Sequence, residues 1–157
     1  MDHSSKIGFS FGTTSGIITT LGLIVGLSAS DASKAVVIGG VLTIAFADAF
    51  SDALGIHVSE ESEATHSEKE IWTSTLSTYV AKLLIALTFL VPLILLSSTA
   101  ALIASIVWGM LLLAILNYFI APKGKKWQAI SEHLLIGLVV IVIGFIIGQY
   151  IRGVFQK

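Results

Sequence analysis

The chain contains no cysteine. That removes disulfides, thiolate metal sites and cysteine nucleophiles, and it leaves the redox compartment unread. Charge is almost as scarce: 12% of residues are charged, against about 25% in soluble domains. The net charge of −1 offers no basic surface, so no nucleic-acid partner is expected. Motifs for nucleotide binding, P-loops and zinc proteases are missing. The chain is therefore not expected to be an enzyme.

What remains is apolar. Hydrophobic residues make up 55% of the 157, and mean hydropathy is +0.93. About 20 apolar residues cross a bilayer as a helix. Five stretches qualify: Ile7–Ala29, Lys34–Val58, Leu76–Leu96, Thr99–Ile120 and Ile130–Ile151. The first is too long and too poorly matched to a cleavage site for a signal peptide and reads as a retained helix. The expected fold class is all-α: a polytopic membrane protein, a bundle of five transmembrane helices forming one domain over 1–157. Short connections make sequential helices antiparallel; the exception is an acidic loop, Ser59–Thr75. Pro92 is placed to kink or end the third helix.

Five spans put the termini on opposite sides. Lys6, Lys69, Lys123, Lys125 and Lys126 fall on one side, and Lys34, Arg152 and Lys157 on the other. The positive-inside rule then makes the N-terminus and the acidic loop cytoplasmic and the C-terminus external. Lys82, near the start of the third stretch, is expected to snorkel to the cytoplasmic face. Trp72 and Trp127 read as interfacial anchors.

The second stretch carries two acids, Asp48 and Asp52. Each acid at bilayer depth costs about 2.5–3.5 kcal/mol on insertion scales. Their i, i+4 spacing puts both on one helix face, in a stripe with Ser51, Gly55 and Ser59. Two carboxylates this close in a low dielectric are expected to share a proton. Such a pair suits exchange of a proton for a divalent cation; it also suits a purely structural network bonded to hydroxyls of the first helix. An intramembrane aspartyl protease would need its acids on different helices. The first helix has a small-residue face, Gly8, Gly12, Ser15, Thr19, Gly22 and Gly26. Tight helix packing explains it, and Ser15 and Thr19 would also line a path.

The acidic loop contains Glu60, Glu61, Glu63, His66, Glu68 and Glu70, and Glu132 opens the fifth helix on the same side. Carboxylate with imidazole suits manganese, ferrous iron, zinc or cobalt. As a cluster the loop would collect cations; residue by residue it also reads as a solvated surface.

These residues resemble the vacuolar iron transporter family. Ser15-Gly-Ile-Ile-Thr19-Thr-Leu-Gly22-Leu-Ile-Val-Gly26 follows the rhythm of the family's first helix, D-G-x-x-T-x-x-G-L-x-x-G, with one register slip. Ser51-Asp52-Ala-Leu-Gly55-Ile56-His57-Val-Ser59 followed by acids fits the frame S-M-x-x-G-E-Y-x-S of the second. Pro92 and the glycine-spaced last helix (Gly137, Gly144, Gly148) fit as well. The family's first-helix aspartate falls on Ser15, its methionine on Asp52, its glutamate on Ile56 and its tyrosine on His57. The resemblance implies a homodimer with a path between subunits, and proton antiport that moves divalent metal out of the cytosol. Iron or manganese would be the cargo, with no permanently bound cofactor. Exchange of a thioether for a carboxylate should shift preference toward manganese, magnesium or calcium. The short loop is that of a prokaryotic-type member, in a cell membrane rather than a vacuolar one. Alternatives are a transport-inactive scaffold or regulatory member of the same fold, and a passive cation channel.

Overall fold

The computed structural model describes residues 3–155, so Lys157 of the charge tally lies outside the described residues. The chain folds as α1 (His3–Ala29), α2 (Lys34–Thr43), a single π turn (Ile44–Asp48), α3 (Ala49–Ser62), α4 (Glu68–Thr88), α5 (Leu90–Leu95), α6 (Ser98–Ile120) and α7 (Lys126–Phe155). No strand occurs among the described residues. Five units are long and apolar enough to span a membrane: α1, the continuous run Lys34–Ser62, the run Glu68–Leu95, α6 and α7. This is an all-helical, multi-pass membrane protein. Large apolar side chains such as Phe50, Leu84, Ile103 and Ile146 point outward, as a lipid solvent allows.

The third span starts earlier than expected, and Pro92 breaks it near its end as expected. The polar segment Ser59–Thr75 is mostly helix rather than loop: α3 continues to Ser62 and α4 begins at Glu68. The start of α4 is set by a capping box. Ser67 Oγ accepts from the Glu70 backbone N–H, and the Ser67 N–H donates to Glu70 Oε2 at 2.8 Å. Near the other end Pro92 can neither donate to Thr88 nor clear its carbonyl, and the helix breaks at Phe89 between α4 and α5. Lys34 then caps α5, its Nζ donating to the carbonyls of Ile94 (3.1 Å) and Leu96 (2.9 Å).

The bundle is built around α1, which packs against α2, α3, α4, α6 and α7. Its small residues face two directions. Gly8 and Gly12 lie against the α4 backbone, where an added Cβ would collide with the carbonyl oxygens of Ser74 and Thr78. Gly22 and Gly26 meet the glycines of α7; a Cβ on Gly144 would stand 2.9 Å from the Gly22 carbonyl oxygen. In lipid no hydrophobic drive favours helix pairing, so such close backbone approach supplies the packing energy. Ile17, Leu21, Ile24, Val41, Phe89 and Leu113 fill the space among α1, α2, α5 and α6.

Gly12→Val forces α1 from α4 and is expected to destabilise the protein by about 1–3 kcal/mol. Gly39→Ala, inside α2 where an added Cβ meets nothing within 4 Å, should stabilise by about 0.5–1 kcal/mol. Thermal unfolding of the two variants in detergent gives the comparison, and equal melting temperatures would refute the packing role assigned to Gly12.

Candidate cation site

One charged cluster lies near the middle of three helical runs long enough to span a membrane. Asp48 is the midpoint of the span Lys34–Ser62, and Ser15 and Lys82 lie within about one residue of the midpoints of theirs. The Lys82 ammonium sits 2.5 Å from Asp48 Oδ2 and 2.6 Å from Asp52 Oδ2. It also donates to Ser15 Oγ at 3.1 Å, and Ser15 in turn donates to Asp52 Oδ2 at 2.5 Å. Three helical spans thus contribute to one network. An ammonium has three N–H donors, and here three oxygens receive them.

Local sequence explains the placement. The π turn at Ile44–Asp48 inserts an i→i−5 bond, Ala49 N–H to Ile44 O; Asp48 closes the turn and Asp52 follows in the first turn of α3. Such turns re-aim the side chains that follow and are frequent at functional sites. On α4 the residues Ser74, Thr78 and Lys82 follow one another at helical spacing on the buried face. Gly16 of α1 lies over the stem of Lys82, with space for a Cβ ending 3.3 Å from both Cα and Cγ of the lysine. The Lys82 side chain is 0% exposed, while those of Asp48 and Asp52 are 40% and 21% exposed. The cation is sealed inside the protomer and the acids open outward from it.

Two expectations are corrected here. Lys82 does not snorkel to the cytoplasmic face; its side chain is 0% exposed and its ammonium is held by Asp48, Asp52 and Ser15. The acids were expected to relieve their repulsion by sharing a proton; an ammonium lies between them instead. Two further candidates fall outside the network. Thr19 spends its hydroxyl on the Ser15 carbonyl of its own helix (2.8 Å), and Ser51 is exposed and takes no part.

The cytoplasmic-mouth residues come together only in part. His66 Nε2 lies 3.4 Å from Glu63 Oε2 and 3.7 Å from Glu60 Oε2. Glu60 is buried, and its Oε2 has no hydrogen bond. Glu61 and Glu68 are exposed on the surface. Glu70 is spent on the α4 cap, and Glu132 accepts from Gln128 at 2.9 Å. No group of three acids or histidines suited to a metal forms among the described residues, so the mouth is not one chelating cluster. His57 has a structural task. Thr75 donates its only proton to the Ile71 carbonyl, so the hydrogen between His57 Nδ1 and Thr75 Oγ1 (3.0 Å) comes from the ring. That bond ties α3 to α4.

Lys82 was missed as a site residue, although a signal was present: a lysine in register with Ser74 and Thr78, opposite the glycines of the first helix. Removing it strands two acids. Lys82→Met is expected to cost about 3–5 kcal/mol, as for a broken buried ion pair. Ser15→Ala, which removes one hydrogen bond to a charged group, should cost about 1.5–3 kcal/mol. Chemical unfolding in detergent ranks them; a cost for Lys82→Met no larger than for Ser15→Ala would refute the ammonium as keystone of the network.

No curated protein and no solved structure is significantly similar to the chain. The model of the VIT family matches residues 9–71. The matched stretch contains Ser15, Asp48, Asp52 and the mouth residues Glu60 to Glu70, and it ends before Lys82. It supports membership of the vacuolar iron transporter family.

Proposed function

We propose that the protein carries divalent metal cations across the membrane, manganese or ferrous iron foremost, in exchange for protons and out of the cytosol. The family match already indicates membrane transport of metal ions. The observation that carries the finer reading is the mid-membrane cluster, in which Asp48 and Asp52 remain open to the outside of the protomer while their counter-ion is sealed within. Asp48 and Asp52 take the cation, and Ser15 adds a neutral oxygen. Carboxylate and hydroxyl oxygens suit manganese and other hard dications. Glu60, Glu63 and His66, with the exposed acids around them, raise the local cation concentration at the cytoplasmic mouth through their field. A carboxylate exposed at mid-bilayer, flanked by Phe46, Phe50 and Leu54, calls for a cover other than lipid. A second copy of the chain supplies it in the homodimer that the resemblance implies.

Lys82 favours a second reading. Two unit charges 4 Å apart interact by about 4 kcal/mol at an effective dielectric of 20, so a dication entering beside the ammonium meets about 8 kcal/mol of repulsion. A chain that keeps its site filled in this way fits a transport-silent scaffold or regulatory member of the same fold.

Flux into proteoliposomes separates the readings. The transporter takes up manganese, responds to an imposed pH gradient, and loses at least tenfold in rate on Asp52→Asn. A passive channel conducts without regard to the gradient. A scaffold shows no flux and no stabilisation by metal, and that result would overturn the proposal.

A further inference from the structure

We infer that Lys82 is a resident cation occupying the transport site, and that it sets the site's discrimination against divalent ions. The inference rests on the transport reading for the identity of the site, but on separate observations for the role of the lysine. The ammonium already holds one oxygen each from Asp48, Asp52 and Ser15, at 2.5, 2.6 and 3.1 Å. A metal bound between α1 and α3 would draw on the same two carboxylates, whose charge the ammonium already partly neutralises. The two cations therefore compete for the negative charge of one acid pair.

The formal charges point the same way. With the ammonium in place, two carboxylates and one lysine sum to −1, a poor match for a dication. With the ammonium displaced the site carries −2, which matches one. The lysine thus acts as an internal competitor at fixed concentration, tethered to α4 and unable to diffuse away. Its effect on an entering dication is a lowered affinity, in the same sense as the loss incurred when binding requires a minor state to be populated first. Gly16 and the 0% exposure of the side chain keep the stem fixed against α1, so the competition is persistent rather than occasional. The family match ends at residue 71, so nothing in the matched segment assigns this role.

The test is manganese binding to detergent-purified protein, with free Mn²⁺ read by its electron paramagnetic resonance signal and folding checked by circular dichroism. Lys82→Gln should bind manganese at least tenfold tighter than wild type. Lys82→Arg, which keeps the charge, should stay within about threefold of wild type, a distinction that a merely structural lysine would not produce. Asp52→Asn/Lys82→Gln should lose the gain, placing the metal at the acid pair. If Lys82→Gln fails to fold, Asp48→Asn and Asp48→Asn/Lys82→Gln repeat the comparison with fewer unpaired acids, and the double variant should be the tighter binder. A lysine-free variant that binds no tighter than its lysine-containing parent overturns the inference. Where wild type still transports manganese, that failure leaves the transport reading standing; where wild type neither binds nor transports it, both fall.

Discussion

The ammonium of Lys82, shared by Asp48, Asp52 and Ser15, is the interaction on which the centre of this bundle depends. A single charge at mid-bilayer is costly, and three of them would be worse if each stood alone. Placed within hydrogen-bond distance of one another they satisfy each other's donors and acceptors, and the remaining formal charge is one unit rather than three. The arrangement joins α1, α3 and α4 at one depth. It needs α4 to lie close to α1, which the glycines at 8, 12 and 16 permit. The small-residue face of α1 and the charged cluster are therefore one device: the first sets the distance that the second requires.

Hydropathy alone made the five spans legible, because lipid imposes one rule on every segment that crosses it. It was a poor guide to where helices end. Glu68–Thr75 is polar and carries no membrane signal, yet it is helical, since a capping box started the helix in water before the apolar run began. Hydropathy reports where lipid starts, and capping reports where the helix starts. The acids were legible because a carboxylate in an apolar run is conspicuous by itself. Their partner was not, because the burial of Lys82 is a property of two helices far apart in sequence.

The smaller misjudgements have the same origin. Thr19 is in helical register with Ser15, but a threonine in a helix can satisfy itself on the carbonyl one turn back, and this one does. Ser51 shares a stripe with Asp52 on paper, yet neighbouring residues on a helix diverge by about 100°. Asp52 turns to Lys82 and Ser51 turns away. At the mouth, composition suggested a chelating cluster, while the fold spends Glu70 on a cap and Glu132 on Gln128. What remains is Glu60, Glu63 and His66, an arrangement better suited to attracting cations through its field than to holding one.

The asymmetry of the cluster limits how any ion could reach it. Lys82 has no exposed surface, so nothing approaches from its side. Asp48 and Asp52 are open on the outer face of α3, where the neighbouring exposed side chains are Phe46, Phe50 and Leu54. An ion arriving from water must therefore travel along that face, and lipid would exclude it. The face must be lined by something more polar than an acyl chain for the acids to be reachable, and closed to lipid for them to be tolerable. In the proposed homodimer a second copy of the chain, with its own acid pair across the gap, would meet both requirements. It would double the negative charge facing the pathway while each protomer keeps its own ammonium behind the acids. In such an assembly the lysines lie on the far side of the acids from the ion, and their displacement becomes the step that separates a cation passing along the interface from one that is held.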